Sequence, residues 1–447
     1  MANIYNYSKN AIPELKRSIK QEPAVACVVL MLLSIPLTYS ANSISLGILA
    51  LFTAMKYGVK SFRKDYSLLI PAGLYLLMAL SLIWTIDRTM TINALSKELP
   101  LLIIPLCLMC LPIFTNMQRQ LILKYYSYGM FAYCIFYLIK AVVRFAYSQD
   151  ASVFFYHQLV TLDVNAVHVS LYMTIAFFWF LVKKEKSLFE KIAASVLFVM
   201  VFLLSSKNVT ITFIFLLLVY YFFYAVTNAK TRFFQVALLL VFLVALTFVG
   251  QIKERFRIEY DTVMNDGTIN ENLSRGQDKV YNVSAEQAWS QEKFKANDFF
   301  PGTAYRIYKF RIFIEMLQED NIFWHGYGLN ASYSKIEAKT ISHELYLGEA
   351  GKPGYQMSNF HNQYVQNFAE LGIGGLLLLL AIVIINLKNG LQSKDFVHIS
   401  FAVLMISLFL TESFLWRQRG VTYFTIMYCL FNAGIGWNAS EKNKQQL

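Results

Sequence analysis

Long apolar stretches without a charge constrain this chain more than any other feature. PAVACVVLMLLSIPLTY, SLLIPAGLYLLMALSLIW and FFQVALLLVFLVALTFVG each contain no Asp, Glu, Lys or Arg. As helices such runs are long enough to cross a hydrocarbon core of roughly 30 Å. Only 15% of the 447 residues are charged and 56% are hydrophobic, too little polar surface for a soluble fold of this size. The pattern predicts an all-α, polytopic membrane helix bundle. No small-residue cleavage site separates the first apolar run from the second, so no removable signal peptide is expected.

Twelve spans are predicted, at about 22–39, 43–58, 66–84, 99–114, 121–145, 165–182, 191–205, 209–227, 232–250, 360–387, 396–412 and 420–437. With the N-terminus taken as cytoplasmic, twenty Lys and Arg fall on cytoplasmic loops and tails and seven on the short loops opposite. That asymmetry follows the positive-inside rule and predicts both termini inside. It also explains the net charge of +12 without nucleic acid, because the basic residues are spread over many short loops. Three segments result: helices 1–9 over 1–250, a large outer loop over 251–359, and helices 10–12 with a tail over 360–447. Within the loop, 261–287 reads as polar and irregular. TAYRIYKFRIFIEMLQED then places Ile307, Phe310, Ile314 and Leu317 at helical spacing, predicting an amphipathic helix on the membrane surface or the bundle.

The five cysteines all lie in apolar runs, so no disulfide framework is expected, and Cys107 with Cys110 reads as part of a packed helix. The unusual polar residues gather at the outer surface instead. They are Lys207 between two spans; Glu412, Arg417 and Arg419 before span 12; His157 and His168 at the entrance of span 6; Arg306 and Arg311 on the loop helix; and His361 where the loop re-enters the bundle. The span interiors are almost free of charge, which opposes a proton-coupled transporter. Cations beside an apolar bundle suit a lipid with a phosphate or diphosphate head, and equally suit anchoring of helix ends at headgroups. His325 and His343 read as ordinary loop histidines, and His398 lies on the cytoplasmic side. On one continuous helix, Gly372 would lie about 20° and Gly375 about 40° from His361. Such a stripe permits close approach by another helix or by a polyprenyl chain, and it also fits plain packing beneath a capping histidine.

HNQYVQNFAELGIGG fits the form H-[NSQ]-x9-G-x2-[GTY], with His361, Asn362, Gly372 and Gly375 in its fixed places. It resembles the signature of the O-antigen ligase superfamily, which includes O-antigen polymerases and bacterial protein O-oligosaccharyltransferases. Two further stretches are similar to that family: Arg306, Phe310, Gly326 and Gly328 in the loop, and Glu412, Ser413, Arg417 and Gly420 before the last span. One departure stands out. Family members carry Ser-Arg-Gly where this chain has Ser206-Lys207-Asn208, which keeps the charge but loses the bidentate fork of arginine.

The resemblance implies a GT-C-like bundle in the bacterial inner membrane. The implied reaction moves a glycan from undecaprenyl diphosphate to an acceptor hydroxyl on the periplasmic face. His361 would act as base or acceptor-orienting group, and Arg306, Lys207 and Arg417 would clamp the diphosphate. Arg419, Arg311, Asn362 and Glu412 complete the substrate-binding candidates, with Gly372 and Gly375 as close-approach glycines. No metal or other cofactor is expected, since cations can stabilise the leaving diphosphate and no Asp-x-Asp motif is visible. Inversion is expected because no nucleophilic carboxylate pair is visible. A single large outer loop resembles ligases acting on lipid A–core more than polymerases extending a growing glycan. Protein O-glycosylation, and a lipid-linked glycan transporter of a different class, are the remaining readings.

Overall fold

The computed structural model describes residues 22–435, apart from 162, 247, 272, 275–278, 350–351 and 357. Lys9, Lys16, Arg17, Lys20, Lys442 and Lys444, counted above on the terminal tails, lie outside the described residues. Each of the twelve expected spans falls on a helix. In chain order the helices are α1 (Ala24–Ser34), α2 (Tyr39–Lys56), α3 (Tyr66–Leu80), α4 (Arg88–Glu98), α5 (Pro100–Cys110) and α6 (Asn116–Ser148). They continue with α7 (Ala166–Val182), α8 (Leu188–Leu203), α9 (Lys207–Val219) and α10 (Ala229–Leu246). The loop contributes α11 (Gly250–Met264), α12 (Ala285–Ser290), α13 (Gly302–Glu319) and α14 (Tyr333–Ser342). The bundle closes with α15 (Gln363–Ser393), α16 (Phe396–Phe409) and α17 (Gln418–Asn432). The chain is an all-α, polytopic membrane protein.

Polar residues between the apolar runs start these helices. Thr38, Asp65, Thr115, Asn165, Ser187 and Asp395 each accept a backbone N–H in the first turn that follows, satisfying donors that a helix leaves open. Among the described residues, six helical stretches are long and apolar enough to cross a membrane: Tyr66–Ile83, Arg88–Cys110, Asn116–Ser148, Lys207–Tyr224, Ala229–Leu246 and Gln363–Ser393. α1, α7 and α16 are shorter apolar helices. α2, α8 and α17 fall outside both groups and carry more polar residues, such as Asn42, Glu190 and Arg419.

α7 and α17 form the centre. Every residue of α7 from Ala166 to Phe180, and of α17 from Arg419 to Asn432, is buried, as expected for helices apolar around most of their circumference. The Tyr126 hydroxyl of α6 donates to the Tyr172 carbonyl of α7 at 2.8 Å and lies 3.0 Å from the Tyr423 hydroxyl of α17. One phenol thus ties three helices together in the core.

The loop has its own apolar core, including Phe294, Phe300, Tyr308, Ile312, Phe313, Met316 and Phe360. The amphipathic helix forms as α13, but its buried face is Tyr308, Lys309, Ile312, Phe313 and Met316. Ile307, Phe310, Ile314 and Leu317 stay partly or largely exposed. The reason is aromatic packing: Phe313 meets Phe360 and Phe368, with ring centres 6.0 and 5.5 Å away, and this sets the rotation of α13. Among its described residues, segment 261–287 is mostly irregular, holding the end of α11, the start of α12 and the two-residue strand Tyr281–Asn282, which pairs in parallel with Asp298–Phe299.

The expected continuous helix after His361 is not continuous. Gly372 has φ 65° and ψ −164°, which breaks α15 within its third turn. His361 itself precedes the helix, with φ 49° and Asn362 as the N-cap. The projection of His361, Gly372 and Gly375 onto one stripe therefore fails. What approaches Gly372 in the structure is the loop backbone. A Cβ on Gly372 would stand 2.3 Å from the Trp324 carbonyl carbon. At Gly375 it would meet the Leu371 Cβ at 2.4 Å and the Asn367 carbonyl oxygen at 2.8 Å, within the same helix. The groups freed by the break are taken up by the loop: Tyr327 N–H donates to Ala369 O (2.9 Å), Gly328 N–H to Glu370 O (2.8 Å), and Ile373 N–H to Phe323 O (2.8 Å). The same loop is hooked to residues 81–91, where Leu329 N–H donates to Ser81 Oγ (3.0 Å) and Thr91 Oγ1 donates to Leu329 O (2.8 Å).

Gly372→Ala is expected to destabilise the protein by at least the roughly 1–3 kcal/mol of a strained positive φ, because the new methyl also meets backbone. Gly374→Ala is the matched control, since its Cβ would meet only Leu77 Cδ2 at an ordinary 3.6 Å. Thermal melts in detergent should separate the two variants clearly.

Candidate active site

Where the loop core sits on the bundle, a cavity of about 1140 Å³ opens. Its walls come from the starts of α7 and α9, from α11 and α13, from the residues before α15, and from the 411–417 connection. His157, His168, Lys207, Arg306, His361, Glu412 and Arg417 all line it, so most of the polar residues expected at one surface share one space.

Local structure aims each of them. α8 ends at Leu203, and Ser205 turns the chain with φ 46°, so that Lys207 opens α9 at the cavity wall. A cation at a helix N-terminus is disfavoured by the helix dipole, and here it is held by an acid. Lys207 Nζ lies 2.6 Å from Glu259 Oε1 on α11. Glu259 Oε2 also accepts the Thr303 N–H at 3.0 Å. Burial pushes the Glu259 carboxyl up, but the bonds from Lys207 and Thr303 outweigh it and hold it below its ordinary value.

Arg306 is fixed on three sides. Its Nε donates to the Thr411 carbonyl at 2.7 Å, Nη1 to the Gly302 carbonyl at 2.9 Å, and Nη2 to Glu412 Oε1 at 2.9 Å. The other oxygen of Glu412 lies 3.7 Å from His361 Nδ1. Burial raises the Glu412 carboxyl, yet the nearby His361 imidazole and the Arg306 charge hold it below its ordinary value. The carboxylate therefore sits between a guanidinium and an imidazole. The Tyr305 ring flanks His361 at 5.6 Å. Behind them, buried His168 lies against Phe414 with ring centres 4.2 Å apart. Gly420 makes that contact possible, since a Cβ there would stand 2.0 Å from the Phe414 carbonyl oxygen and 3.2 Å from His168 Cε1.

Five expected site residues are not brought to the cavity. Arg419 is buried and donates to the Asp163 and Leu37 carbonyls, with its guanidinium 4.2 Å from the Tyr39 ring centre. Arg311 is engaged by Glu315 (2.8 Å) and the Gln291 carbonyl (2.6 Å). Asn362 is a helix cap, accepting from the N–H groups of Tyr364 and Val365 at 3.0 and 3.1 Å. Gly372 and Gly375 serve the helix break described above. His325, His343 and His398 also lie elsewhere. Sequence reasoning missed Glu259, Thr303, Asn208 and the cavity's aromatic residues Trp289 and Phe299. The one available signal for Glu259 was that Lys207, at a helix start, needed an acidic partner.

The polytopic helix bundle thus carries a cavity at one end, walled by basic residues and a histidine–carboxylate pair. Residues 192–380 match the family model described as O-antigen ligase, which supports a relation to the O-antigen ligase superfamily. The matched stretch holds Lys207, Glu259, Arg306 and His361 and ends before Glu412 and Arg417. No curated protein matches the chain. The family indicates a glycosyltransferase-like enzyme of O-antigen ligase or polymerase type, with lipid-linked glycan substrates.

Glu259 and Glu412 both have lowered values in the fold, so the stability they contribute is complete above pH 4.5, the ordinary glutamate value. It is lost as the pH falls through their lower folded values. The contribution of these two carboxylates to melting temperature is expected to be flat above that point and to fall below it. A Glu259→Gln/Glu412→Gln double variant should show a shallower acid decline in the same scan.

Proposed function

We propose that the protein transfers a glycan from undecaprenyl diphosphate to a hydroxyl of a lipid A–core acceptor, as an O-antigen ligase. The proposed setting is the bacterial inner membrane, with both termini cytoplasmic and the cavity on the periplasmic side. The observation that carries this reading is that Arg306 and His361 flank opposite oxygens of Glu412 in one cavity that Lys207 and Arg417 also line. Base and cations are then within reach of one substrate.

In this mechanism His361 keeps a proton on Nδ1, directed at Glu412, which leaves Nε2 to take the proton of the acceptor hydroxyl. The acceptor oxygen forms a bond to the anomeric carbon while the bond from that carbon to the phosphate oxygen breaks. Its electron pair leaves on the diphosphate. A single displacement inverts the anomeric configuration. Three of the five N–H groups of Arg306 are used within the protein, which leaves two for phosphate oxygens. Lys207 and Arg417 add charge to the same leaving group, so that no divalent metal is required. Polymerisation would use the same donor and base with a glycan as acceptor.

Purified protein in detergent, given an undecaprenyl-diphosphate-linked glycan with lipid A–core and chelator, is expected to glycosylate the core. His361→Ala should lower kcat by about 10²–10⁴, the range of a lost general base, and Glu412→Gln by a smaller factor. A ladder of longer lipid-linked glycan without added acceptor would make the enzyme a polymerase. Undiminished transfer by His361→Ala would refute His361 as the base.

A further inference from the structure

His361 and Glu412 belong to different segments, and neither is held by regular secondary structure. His361 sits at φ 49° in the turn before α15, a conformation that L residues seldom adopt and that must be imposed from outside. Glu412 lies in the connection after α16. Yet an imidazole and a carboxylate act together only if their separation is fixed to within about half an ångström. Something must register the two segments against each other.

The structure assigns that task to Gln366. Its side chain is 2% exposed, one turn into α15. Its Oε1 accepts two hydrogen bonds, from the Phe360 N–H at 3.1 Å and from Ser413 Oγ at 3.2 Å. Phe360 immediately precedes His361, and Ser413 immediately follows Glu412. One amide oxygen therefore holds both chain segments next to the pair. The orientation of the amide is itself fixed, because Nε2 donates to Glu370 Oε1, which also accepts from Ser332 Oγ at 3.2 Å. Glu370 is 3% exposed and lies beside the Gly372 break, where its own carbonyl receives the Gly328 N–H. Gln363 reinforces the arrangement: its Oε1 accepts the Leu415 N–H at 2.7 Å and its Nε2 donates to Asn367 Oδ1 at 2.7 Å.

We propose that Gln366 is a positioning residue that sets the distance between His361 and Glu412, and that it does not touch substrate. It is absent from the residues lining the cavity. The inference rests on the reading of His361 and Glu412 as the reacting pair. A purely structural role would weaken the fold and leave the imidazole where it is. A positioning role changes the environment of one histidine among six.

The test uses the full-length protein labelled with ¹⁵N-histidine in detergent, with the His361 ring signals assigned by their loss in His361→Ala. Gln366→Ala is expected to shift or broaden the His361 signals and leave those of His325 and His157 in place. In the transfer assay, Gln366→Ala should lower kcat at least tenfold with little change in donor KM. Combined with His361→Ala, it should cause no further loss, as for residues acting through one another. Unmoved His361 signals in folded Gln366→Ala protein would overturn the proposal, as would a loss that adds fully to that of His361→Ala. An active His361→Ala would instead defeat the reading of His361 as the base, so the two failures are distinct.

Discussion

The rest of the site depends on the need to satisfy the backbone where α15 breaks. A helix end inside a membrane protein cannot leave carbonyl and N–H groups without partners, since each costs several kcal/mol in an apolar setting. At Gly372 the partners are supplied by residues 323–328 of the loop, through three backbone hydrogen bonds. This seats the loop at a defined place on the bundle. It also explains why glycine stands at 326, 328 and 372: added Cβ atoms would fall 2.3 Å from Glu370, Thr85 and Trp324 atoms, respectively. The break is a joint, and the loop is the part that fits it.

Once the loop is seated, electrostatics finishes the arrangement. α13 brings Arg306 to Glu412, and α11 brings Glu259 to Lys207. Both carboxylates hold a cation from another segment, so the basic residues on the cavity wall are kept apart from one another and oriented before any anion arrives. A diphosphate entering this space would find donors already in place, and preorganised donors cost little reorganisation when charge develops. Lysine at position 207 fits this scheme. The ammonium of Lys207 keeps the positive charge beside Glu259 without the planar fork of a guanidinium.

Much of this was legible in the sequence, and the exceptions have physical causes. Charge asymmetry sorted Lys207, Arg306, His361, Glu412 and Arg417 to one surface, because loop charge reports the side of a helix end. It could not separate Arg417 from Arg419, since only the register of α17 turns one into the cavity and the other toward Leu37 and Asp163. Periodicity found α13 but chose the wrong face, because Tyr308 and Phe313 compete with Ile307 and Phe310 and the decision lies with Phe360 and Phe368. The glycine stripe failed because a helical projection assumes the backbone it is meant to test, and a positive φ leaves no trace in spacing. Glu259 went unseen because its partner is 52 positions away.

The hook between the loop and residues 81–91 carries a further consequence for how the protein is made. Ser81 and Thr91 belong to the first hairpins to be synthesised, while their partner Leu329 follows 248 and 238 positions later. The break at Gly372 is later still. Helices α1 to α10 must therefore enter the membrane and wait with one end of the bundle unfinished. At about 5–20 residues per second that wait lasts many seconds. Only when α15 emerges can the loop be captured from both sides. The cavity is thus among the last features to assemble.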